Sequence, residues 1–137
     1  MDTQRFIELG EGYGDVFELC ELIRTNRARL HRALVLEAGN PASALSLAAA
    51  FSPAGGGHFM PIYICREGIR EGGARHRLFL DALSDAGVSP VTVQVRPSAD
   101  FGGLDQYYRH LTGVFRTNRL LPAPELMIRP RRQMPPL

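Results

Sequence analysis

Apolar residues recur along this chain with two different periods, and the switches between them mark out the elements. Val16, Leu19, Cys20 and Ile23 fall at i, i+3, i+4 and i+7, with Phe17 and Leu22 widening the stripe. That spacing predicts an amphipathic helix over residues 15–24 with Asp15 as its N-cap. Residues 33–37 (ALVLE) form an apolar run too short for a helix and read as a buried strand. A turn at residues 38–41 (AGNP) follows, and Leu45, Leu47, Ala49 and Phe51 then alternate with small residues, a second strand returning antiparallel to the first. After a Gly-rich loop at residues 52–57, residues 59–66 (FMPIYICR) read as a third strand, with Ile62 and Ile64 on one face and Tyr63 and Cys65 on the other.

The second half carries clearer punctuation. Phe79, Ala82, Leu83 and Ala86 keep helical spacing over residues 74–86, and Gly87 stops the helix. Val91, Val93 and Val95 alternate with Thr92, Gln94 and Arg96, a half-buried strand that ends at Pro97. Leu104, Tyr107, Tyr108, Leu111 and Phe115 define a third helix running to Arg116. Prolines at 122, 124, 130, 135 and 136 then make residues 122–137 an extended or disordered tail, in which the apolar Leu126, Met127 and Ile128 hint at docking. The expected order is α-β-β-β-α-β-α: a single α/β domain over residues 1–121, with a mixed sheet of about four strands and helices packed on it.

The tetrapeptide RTNR occurs at residues 24–27 and again at 116–119, each time where an amphipathic helix stops. Asn tolerates the left-handed conformation that closes a helix, and Arg suits the negative pole of the helix dipole. A repeated terminator accounts for the repeat. Convergence of the two Arg/Asn pairs on an anion is the alternative, and it requires both helices to end on the same side of the sheet.

Composition narrows the chemistry. With 137 residues, 45% apolar and 22% charged, the chain is one globular domain with a proper core. There is no basic stretch leading into an apolar run, and nothing approaches the roughly 18 apolar residues of a membrane span, so a cytoplasmic location without membrane partners is expected. All 16 basic residues are arginines. The absence of lysine excludes P-loop, protein-kinase and Schiff-base mechanisms in their usual form, and leaves guanidinium forks as the means of gripping phosphates or carboxylates. Cys20 and Cys65, each flanked by apolar residues, read as buried free thiols, with a disulfide or metal pair as the alternative.

Motifs for catalysis are weak. The run Gly10-Glu11-Gly12-Tyr13-Gly14-Asp15 feeds a helix whose amides could hold a phosphate, but Asp15 places a carboxylate there instead. Glu8, Glu11, Asp15, Glu18 and Glu21 form an acidic cluster that in a hydrolase would hold Mg²⁺, and a solvated helix face explains it equally well. His31, His58, His76 and His110 lack zinc spacing, so neither a metal nor a cofactor is expected. Arg24, Arg27, Arg29 and Arg32 cluster after the first helix, with Arg129, Arg131 and Arg132 in the tail. A pI near 8.8 is nevertheless modest for a dedicated nucleic-acid binder, which is not the favoured reading.

The order of elements resembles the core of the restriction-endonuclease-like fold, whose second strand carries a metal-binding Asp. Here residues 44–51 hold no carboxylate. A second resemblance covers the chain to about Pro122. The phrases RFIELGEGY (residues 5–13), RTN (24–26), PIYICREG (61–68) and RPS (96–98) are similar to those of a family of short, uncharacterised proteins of Bacillus-like bacteria, some bearing the label methylthioribose kinase. The resemblance implies a cytoplasmic bacterial protein and carries over no catalytic residue. A sugar kinase has nowhere to place its two lobes and catalytic loop in this length.

Residues 63–69 (YICREGI) are the favoured place for a site, because a strand ending in Arg-Glu-Gly presents both charges at the sheet's edge. An ion pair of Arg66 with Glu8, or of Glu67 with Arg5, would explain the same charges. The candidate binding residues are Arg5, Glu8, Glu11, Tyr13, Arg24, Asn26, Tyr63, Arg66 and Glu67. The expected function is a self-associating binding or interaction module for an anionic ligand or protein partner. A Mg²⁺-dependent phosphoester hydrolase using Glu8, Glu11, Glu18 and Glu67, and a weak nucleic-acid binder, are the alternatives.

Overall fold

The computed structural model of the chain describes residues 3–9, 13–38, 44–121 and 125–130. Six strands and three long helices follow one another as β1 (Thr3–Glu8), α1 (Tyr13–Thr25), β2 (Leu30–Glu37), β3 (Ala44–Phe51), β4 (Phe59–Arg70), α2 (Ala74–Ala86), β5 (Val91–Gln94), α3 (Leu104–Thr117) and β6 (Glu125–Pro130). Short 3-10 turns lie at Arg27–Arg29 and Ser98–Asp100. The strands form one sheet in the order β5-β2-β3-β4-β1-β6.

The mixed α/β class holds, and so does the expected antiparallel pairing of β2 with β3, which β4 extends by a second antiparallel pairing. The strand count is corrected from about four to six. β1, which the expected order lacks, pairs in parallel with both β4 and β6. Its sequence TQRFIE has no apolar alternation to betray it. β6 falls in the segment expected as a tail. The rest of that segment, and the turn at residues 39–41, lie outside the described residues.

Among the described strands, only β3 runs against the others. Each helix follows a strand of the common direction, so all three start at the carboxyl edge of the sheet and end at the opposite edge. Two cores result. On one face, Val16, Leu19, Cys20 and Ile23 of α1 and Phe79, Ala82 and Leu83 of α2 cover Val35, Leu47, Ala49 and Cys65. On the other, Tyr107, Tyr108, Leu111 and Phe115 of α3 cover Phe6, Leu34, Leu36, Ile62 and Ile64. The expected split of Ile62 and Ile64 from Cys65 is therefore real, and sheet alternation is its cause. Both cysteines are free and buried, and burial raises their pKa values.

Local signals fared best at α2, which ends where Gly87 adopts a left-handed φ of 73°. Gly87 N–H bonds the carbonyl of Ser84 and Val88 N–H that of Leu83, a Schellman closure.

Candidate functional site

Of the nine residues singled out from the sequence, the structure joins Glu8 to Arg66. Glu8 ends β1 and Arg66 lies two residues beyond its parallel neighbour Ile64 on β4. The Arg66 guanidinium pairs with the Glu8 carboxylate and donates to Ser98 Oγ at 3.3 Å. The Tyr108 hydroxyl donates to Glu8 at 3.4 Å, with its ring stacked on Phe6 at 4.6 Å. Burial first, then the Glu8 charge, raises the Tyr108 pKa. The cluster ties β1, β4, α3 and the 98–100 turn together, and its charges satisfy each other, which is the ion-pair explanation foreseen for this segment.

The other candidates do not join it. Arg5 lies over the Phe59 ring at 4.0 Å, and Tyr63 packs edge-on against Phe51 at 5.9 Å. Strand alternation puts both on the α1/α2 face, away from Glu8 and Arg66. Arg24 forms an exposed ion pair with Asp85 at 3.1 Å. Glu11 and the side chains of Tyr13 and Glu67 lie outside the described residues.

Asp15 is not the N-cap of α1 but sits within its first turn, buried, and binds Arg75 of α2 at 2.6 Å. An internal carboxylate thus meets the positive pole of α1. The acidic cluster does not assemble either, because Glu8 reaches α3 on one face while Glu18 belongs to α1 on the other. Among the described residues no group of three His, Cys, Asp or Glu side chains could hold a metal ion.

The repeated RTNR segments do terminate helices, by a different device from the one expected. Neither Asn is left-handed: φ is −114° at Asn26 and −91° at Asn118. Each Asn instead turns its side-chain amide back onto the carbonyl four residues earlier, Asn26 to Leu22 at 3.1 Å and Asn118 to Val114 at 2.8 Å. The left-handed residue after α3 is Arg119, with φ of 54°. It occupies the Schellman position, since its N–H bonds Arg116 and that of Leu120 bonds Phe115. Glycine suits that position best, and a residue with a Cβ costs about 1–2 kcal/mol there.

α1 and α3 end at the same edge of the sheet but on opposite faces, so the two pairs do not converge on one small anion. They do build a basic edge. Arg32, at the start of β2, donates to the Leu120 carbonyl at 3.1 Å, and Arg29 donates to the Ser52 carbonyl at 3.1 Å and to Asn26 Oδ1 at 3.4 Å. These partners are neutral, so neither set of bonds compensates a guanidinium charge. Arg27, Arg116 and Arg119 are exposed. Among the described residues none of these five arginines pairs with a carboxylate. The sequence showed the cluster of Arg24, Arg27, Arg29 and Arg32; the signal for the other half of the edge was the second RTNR, read first as a helix terminator with convergence on an anion as the alternative.

Two adjoining concavities of about 470 and 430 Å³ lie along the outer side of β5, both bordered by Gln94 and Asn118, the second also by His110 and Gly113 of α3. His110 Nε2 accepts the backbone N–H of Arg96 at 3.0 Å. Burial and the Arg96 charge lower its pKa, and burial and Arg32 do the same for His31. No helix is long and apolar enough to cross a membrane among the described residues.

Residues 2–121 match a domain of unknown function, DUF7147. No curated protein and no solved structure matches the chain.

Proposed function

We propose that this chain, which belongs to the DUF7147 family of domains of unknown function, is a binding module that takes an anionic partner along the basic edge of its sheet. One observation carries the reading: the Arg32 to Leu120 bond brings the stretch bearing Arg27, Arg29 and Arg32 to the same edge as the stretch bearing Arg116 and Arg119, with no carboxylate partner for these five among the described residues. Like charges about 10 Å apart repel by roughly 0.4 kcal/mol per pair in water. The negative poles of α1 and α3 offset about half a charge each. The remaining repulsion is a cost that an anion would reverse.

The test is calorimetric titration of the full chain with polyphosphate at low salt. Replacing Arg27, Arg116 and Arg119 by Gln should abolish the binding, whereas replacing Arg70 and Arg77, near the other edge, should preserve it. Equal losses in the two variants would show that total charge, and not this edge, sets the affinity.

Self-association is a second reading, favoured by β5. Among the described residues its outer edge is unpaired, and the concavities beside it offer room for an incoming strand. A single monomer mass at every concentration in sedimentation equilibrium would remove it. Phosphoester hydrolysis draws only on the order of elements, since Glu8 and Glu18 lie on opposite faces and β3 holds no carboxylate. Catalysis is not proposed.

A further inference from the structure

Resting on the reading above, we infer that the anionic partner of the basic edge is the phosphate backbone of duplex nucleic acid. The first argument is extent. The edge crosses three packed layers, from the end of α1 through the sheet to the end of α3. At about 10 Å per layer spacing this separates Arg27 from Arg116 by roughly 20 Å. One phosphate or carboxylate cannot span that distance. A duplex carries one charge per roughly 1.7 Å of its axis, so a stretch of this length holds about a dozen phosphate charges, of which those on the near side face the edge.

The second argument is chemistry. Every cation of the edge is an arginine, whose planar fork matches two phosphate oxygens and is more weakly hydrated than an ammonium. The only large apolar side chain exposed among the described residues is Phe17, near the start of α1 and so at the other edge. Among the described residues no Phe or Tyr ring is exposed beside these arginines to stack a base, so the edge suits backbone contact better than the unstacked bases of a single strand.

The third is Arg119. It holds a left-handed backbone, φ 54°, at a position that glycine fills without strain, and it projects an exposed cation with no carboxylate partner among the described residues. Residues kept in sparsely populated conformations cluster where a side chain is needed for binding. Ser52, which receives Arg29, leads into the exposed Gly55-Gly56-Gly57 loop, so the rim of the edge has little side-chain bulk to obstruct a duplex.

The experiment follows fluorescence anisotropy of a labelled duplex, a labelled single strand of the same length and labelled polyglutamate, each titrated with the full chain between about 50 and 200 mM salt. The duplex should bind most tightly, with log affinity falling by about 0.9 per phosphate neutralised for each unit of log salt. Replacing Arg27, Arg116 and Arg119 by Gln should weaken binding at least tenfold and flatten that slope by two to three phosphates, about 2 to 3 in its value. Circular dichroism would show that this variant is folded, and the Arg70→Gln/Arg77→Gln chain should bind as the parent does. Polyglutamate bound with the same arginine dependence, and no duplex bound, would overturn the inference and leave the anionic reading standing. A single strand preferred to the duplex would also overturn it. If none of the three polymers binds, both readings fall.

Discussion

Arg32 reaches across 88 positions of sequence to donate its Nε–H to the carbonyl of Leu120, 3.1 Å away. This bond joins the start of β2 to the segment that leaves α3, and it brings the two arginine-bearing stretches into one surface. Arg32→Met keeps the aliphatic stem and removes the donor. A stability loss of about 1 kcal/mol is expected, the usual net worth of one hydrogen bond, and a shifted urea midpoint with unchanged slope would report it. An unshifted midpoint would mean that water replaces the bond without cost.

Arg119→Gly should act in opposite directions on stability and binding. Relief of the left-handed strain at φ 54° is worth about 1–2 kcal/mol, partly cancelled by the added freedom of glycine in the unfolded chain. A net gain of about 0.5 kcal/mol is expected in urea denaturation, together with weaker polyanion binding. If stability falls instead, the Arg119 side chain contributes contacts that outweigh its backbone strain.

The Glu8 to Arg66 pair holds β1 against β4 with side chains only 15% and 31% exposed. Glu8→Gln leaves a half-buried guanidinium without its counter-charge, at a cost of about 1–3 kcal/mol. Arg66→Met should cost a comparable amount, and the double substitution less than the sum. Strict additivity in the double-mutant cycle would show that the pair contributes nothing to stability.

His31 and His110 set a pH dependence. Both have pKa values below the usual 6.5 in the folded chain, chiefly because burial disfavours the charged ring. The unfolded chain therefore takes up protons first as pH falls through about 6.5, so stability is fully present above that pH and declines below it. Protonation also removes the Nε2 acceptor that holds Arg96 N–H. Urea midpoints at about pH 7.5 and about pH 5.5 should show the decline, and His110→Gln should reduce it. A midpoint that does not move over this range would contradict the assignment.

Much of the molecule was legible from pattern. The limits of α2, the antiparallel β2 and β3 and the two faces of β4 follow from periodicity and a single Gly, because those signals act over one or two turns of chain. The helix-ending role of both RTNR segments was legible for the same reason. The device was not: Asn prefers several conformations, and the neighbouring chain selected a backbone-directed amide in both cases.

What the sequence alone determined is the α/β class, the three helices, their apolar faces and an all-arginine basic set. Only the tertiary structure decided that β1 and β6 complete the sheet, since their pairing depends on partners far along the chain and not on their own alternation. It also separated Arg5 from Glu8 by strand alternation, and set Glu8 against Arg66. The basic edge belongs to the same class of decision. α3 links β5 at one end of the sheet to β6 at the other, and this long crossover delivers Arg116 and Arg119 to the edge where α1 leaves Arg27. Periodicity is local, whereas the meeting of two distant segments is settled by which strands pair and which faces need covering.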